Sequence, residues 1–264
     1  MGLCVVAVSG CGNQDAAAEK AAAPVGGIAA AVGGKVEGAV EMAGGGNLVD
    51  PGNKEFAKRA CDWLTAEAVS GAFGVPAGEI KQMKIAGCIY NWKQGGQIVE
   101  ANLLLPMVHD SVDRARLWFA NATANKTREQ LHQEVDMVEE ELREHESLDT
   151  DIRKKAAGSL MDAARAGMSG DVRYEDVPGV GDEARISSDD GTMRVRVGNV
   201  TFSLSAYKGA EPPPVEFTQR NLKVMQEEAI TAQNRWIQDT LAARQDAAKK
   251  LAPDVIAAIH AAGD

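Results

Sequence analysis

The chain has 264 residues, 45% of them hydrophobic and 25% charged, so it can bury a core without metal ions or dense disulfides. Its 28 basic and 38 acidic residues give a net charge of −10, which argues against the basic surface that nucleic-acid binding requires. No apolar run approaches the roughly 18 to 20 residues that span a bilayer as a helix, which excludes an ordinary helical membrane protein.

The first residues resemble the end of a bacterial lipoprotein signal peptide. An apolar run at 3–8 leads into Val8-Ser9-Gly10-Cys11, which has the branched residue, two small residues and cysteine of a lipobox. The resemblance implies that residues 1–10 are a truncated signal peptide whose true start lies upstream. It also implies that the Cys11 thiol carries a lipid such as palmitate. The alternative is a coincidental apolar segment.

The same resemblance predicts a location and a tether. A lipidated Cys11 places the protein in the bacterial cell envelope, and Gly12 after it, in place of aspartate, implies the outer membrane, facing the periplasm. Residues 11–53 are rich in Ala and Gly and contain no aromatic residue, so they cannot bury enough surface to offset their ordering entropy. We expect a disordered, lipid-anchored tether there.

Of the four cysteines, Cys4 and Cys11 lie in the signal-like segment, and the remaining two are predicted to pair. In an exported domain, Cys61 and Cys88, 27 positions apart, most simply form a disulfide, and two buried free thiols are the alternative. A zinc site is not predicted, because neither cysteine lies in a Cys-x-x-Cys pair and the four histidines lack ligand spacing.

The folded part is predicted to be an α+β domain at 54–214. Two short helices at 54–74 precede a first hairpin at 83–92 and 97–105, with Pro106 ending its second strand. A helix follows at 112–120. We expect the helices to pack on one face of an antiparallel sheet.

A second hairpin is predicted at 192–197 and 200–206. The intervening Gly198-Asn199 suits a two-residue type I′ or II′ turn. Pairing Val197 with Val200 places every apolar residue of both strands on one face of the sheet.

Between the hairpins lies a predicted helical insertion at 127–166, formed by helices at 127–147 and 152–166. Nine acidic residues and one arginine lie between Gln133 and Asp151, a net charge of −8. A solvated helix face is preferred to a metal or cationic partner, because the carboxylates spread around an apolar stripe instead of converging. The stripe consists of Leu131, Val135, Val138 and Leu142.

The C-terminal segment, 215–264, is predicted to be helical. After a Glu-Pro-Pro-Pro break, a long helix is expected at 217–251, and Pro253 is expected to restart a short helix at 254–262. Trp236 and Ile237 form the candidate partner surface, since an apolar stripe that finds no core in its own domain must be buried in a partner. Packing of that stripe on the protein's own sheet is the alternative.

Three motifs together resemble a family. Cys61-Asp62-Trp63-Leu64-Thr65, Cys88-Ile89-Tyr90 and the turn at 179–184 are similar to the Cys-x-x-Leu-Thr helix, Cys-x-Tyr strand and Gly-x-Gly-Asp-x-Ala turn of exported bacterial lipoproteins of unknown function and related extracytoplasmic sensor-type domains. The resemblance covers roughly 56–207 and implies an α+β fold with antiparallel strands and a Cys61–Cys88 bridge. The acidic helix and everything after Pro214 lie outside it, so it implies no shared ligand.

No catalytic, cofactor-binding or metal-binding residue is predicted. Residues 179–184 fit the dinucleotide fingerprint Gly-x-Gly-x-x-Ala, but a turn at 188–191 follows where that fingerprint needs a helix. The chain has no nucleophile elbow, His-Glu-x-x-His or P-loop, and the consecutive residues at 109–111 (His-Asp-Ser) do not form a relay merely by being neighbours.

These patterns predict an envelope-anchored lipoprotein that acts as a non-catalytic binding or sensor-type module. Its expected partners are the membrane, through the lipid, and an unknown protein or small-molecule ligand, but not nucleic acid. A structural or assembly factor that uses the C-terminal helix is one alternative, and a hydrolytic enzyme is the alternative with least support.

Overall fold

A computed structural model describes residues 47–53, 55–84, 87–144, 158, 170–215 and 222–263. Cys11, most of the expected tether and, apart from Gly158, the helix expected at 152–166 lie outside these residues. The strands are β1 (Lys81–Met83), β2 (Gly87–Gln94), β3 (Gln97–Val108), β4 (Tyr174–Asp176), β5 (Glu183–Ser187), β6 (Met193–Val197) and β7 (Val200–Ala210). The helices are α1 (Ala60–Trp63), α2 (Ala66–Phe73), α3 (Val112–Ala122), α4 (Arg128–Glu144), α5 (Leu222–Asp239) and α6 (Leu241–Gly263).

The fold is α+β, built on one seven-stranded antiparallel sheet in the order β1, β2, β3, β7, β6, β5, β4. Both expected hairpins are confirmed, as β2–β3 and β6–β7, and they join where β3 pairs with β7. The register predicted for the second hairpin is also confirmed, with Val197 paired to Val200 and Val195 paired to Phe202.

The prediction that Pro106 ends its strand is wrong. β3 continues to Val108, and its register against β7 shifts between Leu104 and Met107. Because β2 pairs with β3 only as far as Leu104, Pro106 lies where β3 has a single partner strand. The irregular pairing there tolerates a residue without a backbone N–H.

One face of the sheet carries the hydrophobic core. Alternate residues of β7, from Val200 to Ala206, are buried on this face. The helix α6 covers them with fully buried residues spaced three or four apart, and α1 and α2 fill the rest. These helical core residues are Trp63, Val69, Phe73, Ala248, Leu251, Val255 and Ile259.

The expected disulfide is present and joins Cys61 of α1 to Cys88 of β2. The Cα atoms are 4.9 Å apart, and Cys88 is fully buried. Beside it, the rings of Trp63 and Phe56 lie 4.4 Å apart. The bridge therefore fixes the first helix to the sheet within the core.

The expected C-terminal helix pattern needs a correction. The break falls at Thr240, between α5 and α6, and α6 runs through Pro253 instead of restarting there. The Thr240 hydroxyl donates to the carbonyl of Trp236 at 2.7 Å, which competes with continuation of the helix. Pro253 and Lys249 are both exposed, so the carbonyl that loses its helical donor lies on the solvated side.

The opposite face of the sheet, which we call the open face, is polar. It carries Ser203 and Ser205 of β7 and Arg194 of β6, on the side away from the core residues. Helix α3 packs across part of it, with Phe119 buried over the Arg185 guanidinium at 5.7 Å. Helices therefore lie on both faces of the sheet, and the expectation that they pack on one face is wrong. The strand positions on the open face are polar in sequence, and the stacking of Phe119 on Arg185 lets a helix pack there.

Helix α4 is the described part of the acidic helix. Its stripe residues Leu131, Val135 and Val138 are half-buried, and Glu134 pairs with Lys126 at 2.7 Å. Met137, outside the stripe, is 62% exposed. The remainder of the expected helix, beyond Glu144, lies outside the described residues.

Candidate functional site

A groove of about 620 Å³ lies between α5 and the chain that leaves β7; we call it the α5 groove. One wall is the extended segment Pro213–Val215, whose prolines have fixed backbone φ angles. The other wall is one face of α5. It consists of Val224, Glu227, Glu228, Thr231, Ala232, Arg235, Trp236 and Asp239.

Contacts at the end of β7 position the proline wall. The backbone N–H of Glu211 donates to the Gly96 carbonyl at 3.1 Å, in the β2–β3 turn. The Glu211 carboxylate also pairs with the Lys93 ammonium at 2.5 Å. The proline segment therefore starts from a point held by the sheet.

Trp236 forms the floor of the α5 groove and is packed on the open face. Its ring meets Tyr207 edge-on at 5.1 Å, and the two cluster with Ile98. The indole is 7% exposed. Since two sheet residues hold it, the floor does not depend on a ligand for its shape.

Arg244 of α6 completes this cluster. Its guanidinium lies 4.4 Å from the centre of the Trp236 ring and 4.8 Å from that of Tyr207. Its Nε donates to the Thr240 hydroxyl at 3.0 Å, at the break between the helices. The guanidinium thus contacts both aromatic rings, which joins the start of α6 to the cluster that holds α5 on the sheet.

Two ionisable groups, Glu100 beside the cluster and Tyr207 within it, are affected by burial. Burial raises the pKa of the Glu100 carboxyl, and Arg244 acts in the opposite direction. Burial also raises the pKa of the Tyr207 phenol, again against Arg244. Tyr207 is therefore a neutral phenol at pH 7, and it donates to the Ala210 carbonyl at 3.0 Å.

The rim of the α5 groove is acidic. Among the described lining residues, Glu227, Glu228 and Asp239 place carboxylates along it, and Arg235 places a guanidinium there. The floor and the proline wall are apolar. The combination fits a ligand that has both apolar groups and positive charge.

Trp236 and Ile237, the residues expected to form a partner surface, do not lie in an exposed apolar stripe. Trp236 packs on the protein's own sheet, and Ile237 is partly buried against the same cluster. Only the edge of the indole that lines the α5 groove remains for a ligand.

His109 and Ser111 have different hydrogen-bond partners, so the structure does not join them to each other. His109 Nε2 lies 2.8 Å from the Thr201 hydroxyl, whereas the Ser111 hydroxyl accepts from the Arg114 N–H and caps α3. The turn at 179–184 leads into strand β5 and not into a helix.

Among the described residues, no three His, Cys, Asp or Glu side chains are grouped as metal ligands would be. Within the same part of the chain, no helix is long and apolar enough to cross a membrane.

Three components of the α5 groove were not anticipated: Tyr207, Arg244 and the use of Pro213–Val215 as a wall. Tyr207 continues the alternation of β7 outward, so strand periodicity does place it on the open face. Arg244 follows Trp236 by eight residues across a helix break, and no sequence pattern marks that contact.

No protein-family model, curated protein or solved structure matches the chain.

Proposed function

We propose that the protein is a non-catalytic binding module, anchored to the bacterial cell envelope through a lipid on Cys11. Its α5 groove holds an extended protein segment that carries apolar and basic residues. The observation that carries this proposal is the combination of a fixed aromatic floor, a rigid proline wall and an acidic rim.

The length of the α5 groove supports an extended segment as the ligand. From Val224 to Asp239 the helix advances 15 residues, roughly 22 Å at 1.5 Å per residue. Six or seven residues of extended chain, at about 3.3 Å each, span that distance. A compact small molecule contacts only part of it.

The side chains of the α5 groove support recognition and not bond cleavage. The part of the lining that the structure describes supplies carboxylates, one guanidinium, the Thr231 hydroxyl and apolar groups. Basic groups of a ligand gain from the rim charges of Glu227 and Asp239, which are exposed, so this part of the affinity falls with added salt. Burial of apolar ligand groups against the exposed prolines of the wall and the half-buried Val224 supplies the part that salt does not screen.

The test uses two fluorescein-labelled eight-residue peptides, one alternating lysine with leucine and the other alternating glutamate with leucine. Fluorescence anisotropy is measured with the full chain. The lysine peptide is expected to bind and the glutamate peptide is not. Equal binding of both, or of neither, overturns the proposal.

Charge-reversal variants locate the binding. Glu227→Lys combined with Asp239→Lys is expected to lower the affinity for the lysine peptide by about tenfold, since each exposed charge contributes up to roughly 1 kcal/mol. The matched control combines Asp246→Lys with Asp254→Lys, which makes the same charge change on α6, outside the α5 groove. If the control weakens binding equally, the peptide is held by net charge alone and the α5 groove is not the site.

Anchoring is tested separately in cells. With a complete secretion signal placed ahead of residue 3, a fatty-acid analogue is expected to label the protein, and Cys11→Ser is expected to abolish the label. Equal labelling of both forms contradicts the lipid anchor and leaves the peptide result unaffected.

A further inference from the structure

We propose that Arg194 and Ser203, on the open face beneath α3, form a binding site for the carboxylate or phosphate group of a small soluble ligand. The site is separate from the α5 groove and does not depend on the function proposed for it.

Arg194 is a half-buried cation without an anionic partner among the described residues. Its Nε donates to the Tyr174 hydroxyl at 3.3 Å, and its guanidinium lies 5.8 Å from the centre of the Trp118 ring. Both neighbours are neutral. They orient the guanidinium, but they do not balance its charge.

The other two arginines on this face are paired. Arg185 binds Asp176 at 2.8 Å, and Arg196 binds both Asp182 and Glu183, at 3.0 and 2.6 Å. These contacts show that the sheet supplies carboxylates where a guanidinium is structural. Arg194 is the position on β6 where the described residues supply none.

The strand register places a second positive charge beside Arg194, which favours an anion there. Arg194 pairs directly with Arg185 on β5, so two like charges lie side by side on one face. Like charges in directly opposed strand positions are destabilising. Asp176 pairs with Arg185 and not with Arg194, so the charge on Arg194 is the one that a ligand anion would balance.

Ser203 supplies a second donor. It is the strand partner of Arg194 on β7, it is 8% exposed, and its hydroxyl has no hydrogen-bond partner in the described ranges. A guanidinium fork beside a hydroxyl is a donor set that matches the oxygens of a carboxylate or phosphate. Trp118 lies against the guanidinium and limits the water around it, which strengthens the interaction.

The test titrates the full chain with sodium phosphate and, separately, sodium acetate, at constant ionic strength. Arginine Nε–Hε resonances of ¹⁵N-labelled protein are recorded by NMR. We expect a saturable shift at Arg194 with a dissociation constant on the order of 1 mM. No saturable shift with either anion up to about 50 mM overturns the proposal.

Variants assign the donors. Arg194→Met is expected to abolish saturable phosphate binding measured by calorimetry, and Ser203→Ala is expected to weaken it about fivefold to tenfold. Ser205→Ala is the matched control, because the Ser205 hydroxyl already accepts from the Asn102 amide at 3.2 Å. Unchanged binding in Arg194→Met overturns the site. If that variant does not fold, the comparison of Ser203→Ala with Ser205→Ala decides, and equal affinities overturn the site.

A vesicle experiment separates a soluble ligand from a lipid headgroup. Sedimentation with phosphatidylglycerol vesicles is compared between Cys11→Ser and the double variant Cys11→Ser with Arg194→Met. Because Arg194 is half-buried, we expect no difference between them. Vesicle binding that requires Arg194 overturns the assignment to a soluble ligand.

Discussion

Asn199, in the turn of the second hairpin, makes two hydrogen bonds with the backbone of Val49, 150 residues earlier. Its side-chain oxygen accepts from the Val49 N–H at 3.0 Å, and its amide donates to the Val49 carbonyl at 2.8 Å. Both residues are buried. The Asn199 side chain thus satisfies both backbone groups of Val49, as a neighbouring strand would. It also holds the start of the folded part against β6 and β7.

Asn199→Ala is expected to lower the free energy of unfolding by about 2 to 3 kcal/mol, because it leaves buried backbone groups of Val49 unpaired. The amide also donates to the His109 carbonyl at 2.9 Å, so a third bond is lost. Urea unfolding followed by tryptophan fluorescence measures the change. Asn102→Ala, which removes one bond on the open face, is the control and is expected to cost about 1 kcal/mol or less.

Removing the disulfide with Cys61→Ala and Cys88→Ala is expected to cost about 3 kcal/mol, because the bridge closes a 27-residue loop in the unfolded chain. Urea midpoints with and without dithiothreitol give the measurement. Wild type should lose stability on reduction, whereas the double variant should not respond. A wild type that is equally insensitive contradicts a stabilising bridge.

Two glycines of one turn are expected to differ in their tolerance of alanine. Both have positive φ, +79° at Gly179 and +58° at Gly181, so alanine costs about 1 kcal/mol of backbone strain at either. A Cβ at Gly181 also comes within 2.7 Å of the Arg196 carbonyl, whereas one at Gly179 meets nothing within 4 Å. We expect Gly181→Ala to lower the melting temperature clearly more than Gly179→Ala. Equal shifts in a thermal scan contradict the close approach.

The stability of the fold is expected to fall in mild acid, partly through His109. Burial lowers the pKa of His109 below its usual 6.5, so the unfolded state binds the proton first. The contribution is complete above pH 6.5 and is lost as the pH falls from 6.5 through the folded-state pKa.

Urea midpoints at pH 7.5 and pH 5.5 test this, and the difference should shrink in His109→Gln. His260→Gln is the matched control, since His260 is exposed on α6. An unchanged difference in both variants assigns the pH dependence to other groups.

The register of the second hairpin was predictable because alternation and a Gly-Asn turn agree, although β7 runs to Ala210, beyond the predicted end at 206. Only one register puts Met193, Val195 and Val197 with Val200 and Phe202 on a common face. The disulfide was predictable from the number of cysteines and from the oxidising compartment expected for an exported domain.

Other elements depended on tertiary context. Pro106 remains inside β3 because only one neighbouring strand reaches it, and Pro253 remains inside α6 because its side of the helix is solvated. The break at Thr240 depends on a hydroxyl whose bonding competes with the helix. None of these features leaves a periodic trace in the sequence.

For the same reason, the sequence predicted only part of the α5 groove. Trp236 was singled out as an apolar helix position, but its contacts with Tyr207 and Arg244 join parts of the chain that local patterns do not relate. The sequence therefore indicated the right helix without its partner elements.

The bond between Asn199 and Val49 also sets a direction. Strand β7 begins at Val200, beside that bond, and ends at Ala210, beside the proline wall, about 33 Å away at 3.3 Å per residue. The start of the folded part therefore lies at one end of β7 and the proline wall of the α5 groove at the other. If the proposed lipid on Cys11 anchors the chain, the length of the sheet separates the proline wall from the point at which the anchored segment enters the fold.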